Sequence, residues 1–485
     1  MSRIPCTSFC PFHCAVEAAT GPLTSPYPDL LSSASSPSDL QVAVIWRAIE
    51  TAETEVSAVD THLVHLRSAM EQHTRKRAEL QDFVKSHRAM VSAIRRLPSE
   101  LLSEIFVESV DVSATFEPGR NEPWMIAQVC SRWRAVALTS PRLWSNFVLP
   151  ADDPYSMRAL SLQLERASHA HLFIRFTSRP TLDTLNLFLT ASAHWEVVTL
   201  ALGPAEFTHL FDYGGNFPTL KTLTLRSWEP IQCTDGQGDM RESFPALRNL
   251  QLDVCYEAFP RQLLLPWSNL RTCTLQKAHS SDALWLLSQL SPNTEFSVVR
   301  CANLDFARST LQTKSCVRSL TITTCSTLFV RDLLTGLVAP ALQELTLERI
   351  DDDDDQIQRD QLLSFLDRSA CPLTHLRICA TTISGDDLIR ILEMPPTRGI
   401  VHLDVSAAAV WNRGVGALGA QHLVPNLRTL VLQGTPDIKH VPLLALLRSR
   451  WPVLRSVRLD GSESPQDVNS SSSLEAGELD VIIRK

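Results

Sequence analysis

The stretch Leu220-Lys221-Thr222-Leu223-Thr224-Leu225 decides how most of this chain is read, because its leucine spacing returns as Leu247-Arg248-Asn249-Leu250-Gln251-Leu252. Its last four positions alternate polar and apolar, the period of a strand with one buried face, and the leading leucine anchors the entry to that strand. The same L-x-x-L-x-L pattern appears at Leu270-Cys273-Leu275, Val317-Leu320-Ile322, Leu342-Leu345-Leu347 and Leu373-Leu376-Ile378. It continues at Ile400-Leu403-Val405, Leu427-Leu430-Leu432 and Leu454-Val457-Leu459, with weaker copies at Ile174-Phe176, Trp195-Val198-Leu200 and Phe296-Val298. From Ile174 onward the middle residues step by 24, 25, 27, 23, 23, 24, 25, 31, 27, 27 and 27.

A period of this length is the signature of leucine-rich repeats, one short strand plus a helix per turn. No unit of that kind buries its own apolar edge, so stacking of neighbours makes the core. The reading is an α/β solenoid (a horseshoe) of about eleven units over residues 150–462. The pattern wants Asn or Cys three positions beyond the last strand leucine. Cys255, Cys301 and Cys325 fall there, with Thr381, Thr435 and Ser462 as small polar substitutes. A buried thiol or hydroxyl at that point hydrogen-bonds the turning backbone. The aspartates 351–355 lie in the one step of 31 residues and read as a solvated insertion loop.

If the leucines point inward, the residues between them line the groove of the horseshoe. Thr222, Thr224, Arg226, Asn249, Gln251 and Asp253 form the first part of that row, and Glu344, Thr346 and Glu348 a middle part. His375, Arg377, His402, Asp404, Arg458 and Asp460 continue it. The surface is mixed in sign, which suits a polypeptide and does not suit a uniform polyanion. Candidate target-binding residues are Arg226, Trp228, Asp253, Glu348, Arg377 and Asp404, with Trp228 and Tyr256 as aromatic anchors just past their strands.

Upstream, residues 95–149 have a different rhythm. Leu97-Pro98 starts a helix, with Ser99 and Glu100 placing a capping hydroxyl and an acid at its positive end. Leu101, Leu102, Ile105, Phe106 and Val110 recur at helical spacing. After Pro118-Gly119 a second apolar helix is predicted to carry Met125, Ile126, Val129, Cys130, Trp133, Val136 and Ala137. Ser140-Pro141 stops it, and Leu143-Trp144 opens a final turn. Three small helices hold more apolar side chains than so small a body buries, which reads either as a docking module or as a subdomain packed on the rest of the chain.

Leu97-Pro98-x-x-Leu101-Leu102-x-x-Ile105-Phe106, Val129-Cys130-x-x-Trp133-Arg134 and Leu143-Trp144 together resemble an F-box, in the form common in mushroom-forming fungi. The polar interval 111–122 lengthens the gap between the first two helices. The resemblance implies docking to a Skp1-like adaptor and through it to a cullin, with Leu97, Pro98, Leu101, Ile105, Val129, Cys130, Trp133 and Trp144 as the docking residues. Some of these must hold the module's own core, Trp144 above all. The implied activity is that of a substrate-recognition subunit of a ubiquitin ligase, an adaptor and not itself an enzyme, with a target protein held on the repeats. The alternative is a protein-interaction scaffold built on the repeats and the helix that precedes them.

That helix spans residues 40–94. Ile45, Ile49, Ala52, Val56, Val59, Leu63, Leu66 and Met70 follow 4-3 spacing, continued by His73, Arg77, Leu80, Val84, His87, Val91 and Ile94. No Pro or Gly interrupts residues 40–96. This is a coiled-coil seam, with two outcomes: a homodimer along 45–94, or a hairpin folded back on the chain. Residues 1–39 and 463–485, rich in Pro and Ser or in Ser alone, read as disordered tails.

Bulk properties remove several function classes. The chain has 485 residues, with 45 Lys and Arg against 53 Asp and Glu, a net charge of −8 that leaves no general footprint for nucleic acid. Only 16 glycines are present, which disfavours Gly-rich phosphate loops. No apolar run approaches the roughly 18 residues of a membrane span. Twelve scattered cysteines and no convincing signal peptide suit the cytoplasm or nucleus. The cysteines Cys6, Cys10 and Cys14 and the pair His169-x-His171, on a predicted strand, lack the ligand count of a familiar metal site, so neither metal nor cofactor is expected. No G-x-S-x-G, H-E-x-x-H or P-loop lysine motif occurs, and no catalytic residue is assigned.

Overall fold

The computed structural model describes residues 24–33, 35–111, 122–149, 156–227, 229, 240–254, 263–302, 312–349, 355–379, 385–406, 416–420, 422–433, 440–450, 453–460 and 480–484. The chain is mixed α/β and divides into two units, Met1–Pro98 and Ser99–Lys485. Among the described residues no helix is long and apolar enough to cross a membrane.

The first unit is dominated by one helix, Asp39–Met90, of 52 residues. At 1.5 Å per residue it is about 78 Å long. Its start is set chemically: the Gln41 side chain accepts the Ser38 backbone N–H at 2.9 Å, satisfying a donor that the first turn leaves orphaned. Glu71–Arg75 and Lys76–Glu79 ion pairs, at 3.8 and 3.1 Å, sit one turn apart on its exposed surface. A 3-10 turn, Ala93–Arg96, follows. The sequence reading placed all of 1–39 in a tail. The structure forms a short helix at Pro28–Ser32, where Pro28 and Asp29 both suit a first helical turn.

The second unit begins with the helices Ser99–Ser109, Glu122–Val129 and Ser131–Leu138 and a 3-10 turn, Pro141–Trp144. The expected single helix through Met125–Ala137 is therefore two. Cys130 adopts extended backbone (φ −161°, ψ 170°), and its Sγ accepts the Trp133 backbone N–H at 3.4 Å, capping the new helix. Periodicity carried across this break because both helices are apolar on one side.

Among the described residues fourteen strands then form one sheet, paired in sequence order from Asn146–Leu149 to Asp480–Arg484. Every pairing is parallel, and the apolar middle residues stand in one register: Phe147, Ile174, Val198, Leu223, Leu250, Cys273, Phe296, Leu320, Leu345, Leu376, Leu403, Leu430, Val457 and Val481. From Phe147 to Val457 all of these are buried. A one-residue slip would turn each such strand inside out, so the leucines fix the register. Helices such as Ser280–Gln289 and Thr327–Gly336 connect successive strands and bury Leu284, Leu287, Phe329 and Leu333. Gly336 suits their close contact: a Cβ there would meet Leu284 Cδ1 at 2.7 Å, so the leucine side chain would have to shift.

The turn after each central strand repeats too. Lys277, Arg300, Thr324 and Arg349 have φ of 53°, 52°, 55° and 49°. Each donates its N–H to the last carbonyl of the next strand, on Val299, Thr323, Glu348 and Cys379 respectively, so the ladder outlasts the strands. Cys301 and Cys325 are buried beside these turns. Cys301 Sγ lies 3.5 Å from the Val299 carbonyl oxygen, and Cys325 Sγ lies 3.3 Å from that of Thr323. Cys325 Sγ also accepts the Cys301 N–H at 3.4 Å. Cys255, Thr381, Thr435 and Ser462 lie outside the described residues.

Two further differences from the sequence reading concern its loops and tails. Asp355 is the first residue of a helix, Asp355–Ser369, while 351–354 lie outside the described residues. Asp480–Arg484, expected within a tail, pairs in parallel with Ser456–Asp460. Its β-branched Val481, Ile482 and Ile483 favour strand, and the preceding strand offers an open edge.

Candidate functional site

Two surfaces carry the residues singled out by sequence. On the small helices, neighbouring apolar stripes have opposite fates. In Ser99–Ser109, Leu102 and Phe106 are buried, whereas Leu101 and Ile105 remain 54% and 46% exposed. In the next helix Ala127 is buried while Met125 and Val129 are exposed. Residues four apart lie on one helical face, so each helix presents a bare apolar pair to solvent. Cys130 is exposed, and Trp133 is half-buried with its ring 4.8 Å from Phe106. Trp144 is buried, and its indole N–H donates to the Ala137 carbonyl at 2.8 Å. That removes Trp144 from any docking face. Leu97 is half-buried and Pro98 exposed.

The helices are bolted to the start of the sheet. The buried Gln163 amide donates to the Trp144 and Asn146 carbonyls at 3.2 and 3.0 Å and accepts the Trp124 indole N–H at 3.1 Å. The Arg166 guanidinium sits 4.5 Å from the ring centres of both Trp124 and Trp144. A cation shared by two indoles contributes on the order of 1 kcal/mol per contact. The apolar pairs are thus displayed on a braced support.

The second surface is the polar face of the sheet. Glu348, Arg377 and Asp404, three of the candidate target-binding residues, form one charged chain across three adjacent strands. Arg377 Nη2 lies 3.9 Å from Glu348 Oε2, and Arg377 Nε lies 3.5 Å from the buried Asp404 carboxylate. His375 and His402 are partners across the same strands, with ring centres 5.6 Å apart, and His375 Nδ1 is 3.8 Å from Glu344. Burial lowers the His402 pKa, and His375, Arg458 and Arg377 lower it further. Burial and the Asp404 charge push the Cys379 thiol up, which leaves it protonated at neutral pH. The fully buried Cys273 thiol is pushed up to about 12 by desolvation.

Arg226 and Asp253 are also strand partners, and Asp253 pairs with Lys277 at 2.9 Å. The Asn249 amide bridges Thr222 and Thr272, at 3.1 and 2.9 Å, in a side-chain ladder along the same face. Trp228 and Tyr256 lie outside the described residues, as do Cys6, Cys10 and Cys14. His169 and His171 precede the strand Leu172–Phe176 instead of lying on it. His169 meets Ser168, while His171 faces Glu196 at 3.9 Å. Among the described residues no group of three His, Cys, Asp or Glu side chains gathers as a metal site.

The long helix presents a third surface. It has no buried residue, and its seam positions Ile49, Val56, Val59, Leu63, Leu66, Met70, Leu80 and Val84 are all exposed. One site escaped sequence reasoning: an open cavity of about 520 Å³ between the helix Ser99–Ser109 and the first three strands, with the exposed ring of Phe173 in its wall. The signal was present, because in Leu172-Phe173-Ile174-Arg175-Phe176 an aromatic stands at an outward-facing position. No protein-family model matches the chain, and no curated protein is detectably similar to it.

Proposed function

We propose that the chain is a substrate-recognition subunit of a Skp1–cullin ubiquitin ligase. In this reading the helices from Leu97 to Trp144 are an F-box, and the in-register parallel sheet with its connecting helices is a leucine-rich-repeat solenoid. The observation that carries it is the split of the apolar stripes. Leu101, Ile105, Met125 and Val129 stay exposed while Leu102, Phe106, Ala127 and Val136 make the core. Apolar pairs held bare on a braced support are what an obligate docking partner covers. The docking residues are then Leu97, Pro98, Leu101, Ile105, Val129, Cys130 and Trp133, with Met125 added.

The mixed-charge polar face of the sheet is the target-binding surface, its chain of Glu348, Arg377 and Asp404 reading charge on a polypeptide. The chain does no bond-breaking of its own in this scheme. Holding target and ligase on one body raises the effective concentration of the target lysines at the ubiquitin donor. The exposed seam of Asp39–Met90 favours a second reading, a scaffold that self-associates along 45–94 and does not meet Skp1. Reconstitution separates the two. With Skp1, a cullin, its RING subunit and charged ubiquitin-conjugating enzyme, the ligase reading predicts ubiquitin transfer that depends on this chain and on Skp1. Transfer independent of either component contradicts it.

A further inference from the structure

We infer that the cavity beside Phe173 is a peptide-anchor site that takes a large apolar side chain next to an acidic residue of an extended segment. The inference rests on the reading of the sheet as a target-binding surface and gives that surface a chemical preference. The apolar wall comes from Val107 on the helix Ser99–Ser109, from Val110 just past its end, and from Val148, Phe173 and Val197 on the first three strands. Alternation places Phe173 on the outward face of the sheet, 42% exposed, beside its strand partner Val197, whereas the next strands carry Thr222 and Asn249 at this level. At about 520 Å³ the cavity falls within the roughly 300–1,000 Å³ of specific binding pockets.

The rim is cationic. Arg175 follows Phe173 by two residues on the same face, and among the described residues it makes no ion pair. Arg142 and His171 also line the cavity. Arg142 is matched by Glu104 at 3.0 Å. Glu196, the acid in the lining, is held by Lys221 at 2.7 Å and faces His171 at 3.9 Å. What remains is the Arg175 guanidinium, whose complement is a carboxylate brought in by the occupant.

The cavity also opens onto a polar track. Thr199 lines it and is the first of a row in which Thr199, Thr224, Gln251 and Thr274 are successive strand partners. Such a row supplies hydrogen-bonding groups at the spacing of strands, about 4.8 Å. An extended peptide anchored at Phe173 runs across it, which a small apolar molecule has no reason to do.

The test is selection of random 12-residue peptides displayed on phage against the full-length chain, followed by binding of the enriched peptides by fluorescence polarisation. The expected peptides carry Phe, Leu, Ile or Met within two positions of Asp or Glu. Arg175→Glu and Phe173→Ser, both at exposed positions, weaken them by about tenfold or more. Arg398→Glu, exposed in the turn Pro395–Gly399 and off the sheet, leaves their binding unchanged. No enrichment, enrichment of basic peptides, or equal binding to Arg175→Glu overturns the site. Skp1 capture by the same preparations keeps the two claims apart. Capture without acidic–apolar peptide binding refutes the anchor site alone, and peptide binding without capture refutes the ligase assignment alone.

Discussion

Replacing adjacent residues of the helix Ser99–Ser109 separates its core from its docking face by stability alone. Leu102 and Phe106 are 0% and 2% exposed, Leu101 and Ile105 54% and 46%. Truncating leucine to alanine removes three carbons, worth about 0.8 kcal/mol each when buried, and a fully enclosed site adds a cavity term. Leu102→Ala therefore costs about 3–5 kcal/mol, and Phe106→Ala a similar amount, with its contact to Trp133 lost as well. At half exposure, and with no cavity left behind, Leu101→Ala and Ile105→Ala each cost about 1 kcal/mol. Urea unfolding of the full chain, followed by indole fluorescence, measures the difference. The first pair should lower the midpoint severalfold more than the second. Equal destabilisation by Leu101→Ala and Ile105→Ala would mean that this face is already packed, and the docking argument would fail with it.

Other consequences are independent of that face. The depressed His402 pKa means that the folded chain resists protonation there more than the unfolded chain does. The stability this contributes is intact above the ordinary value of about 6.5 and is lost as pH falls through the lower folded value. Thermal melts from pH 7.5 to 5 should fall less steeply in His402→Gln than in the wild type, and parallel slopes would remove His402 from the account. Thr324 holds φ 55°, a region costly for a β-branched side chain. Thr324→Gly should raise stability by about 0.5–1 kcal/mol, whereas a loss would show that its side chain matters more than its backbone. If 45–94 is a dimer seam, light scattering should give twice the chain mass at micromolar concentration, and Leu63→Asp with Leu66→Asp should halve it. A wild-type monomer at high concentration excludes the dimer.

Much of the fold was legible because it is periodic. Leu223, Leu250, Leu320, Leu345, Leu376, Leu403 and Leu430 announce a strand each, and one buried row needs no information about distant contacts. Cys301 and Cys325 were legible for the same reason. The break at Cys130 was not, because it depends on one residue's backbone and a thiol cap, while the apolar period runs through it. The strand Asp480–Arg484 was hidden by composition: the serines before it dominate the segment, and its partner strand becomes visible only once the sheet is built. In the candidate sites, the meeting of Arg377 and Asp404 followed from their shared repeat position, while Glu348, two residues beyond Arg377's partner Thr346, reaches Arg377 diagonally. The division of Leu101 from Leu102 required the third dimension, since both belong to one helical period. Phe173 shows the remaining limit. Its outward position could be read from alternation, but the cavity beside it is made by a helix about 65 residues earlier in the chain.

Calorimetric titration of purified Skp1 into the full chain decides whether the exposed apolar pairs are a docking face. The account predicts saturable one-to-one binding that weakens by about thirtyfold, or about 2 kcal/mol, in a folded Leu101→Ala/Ile105→Ala variant. No heat from a folded wild-type chain, or equal affinity for the variant, contradicts it.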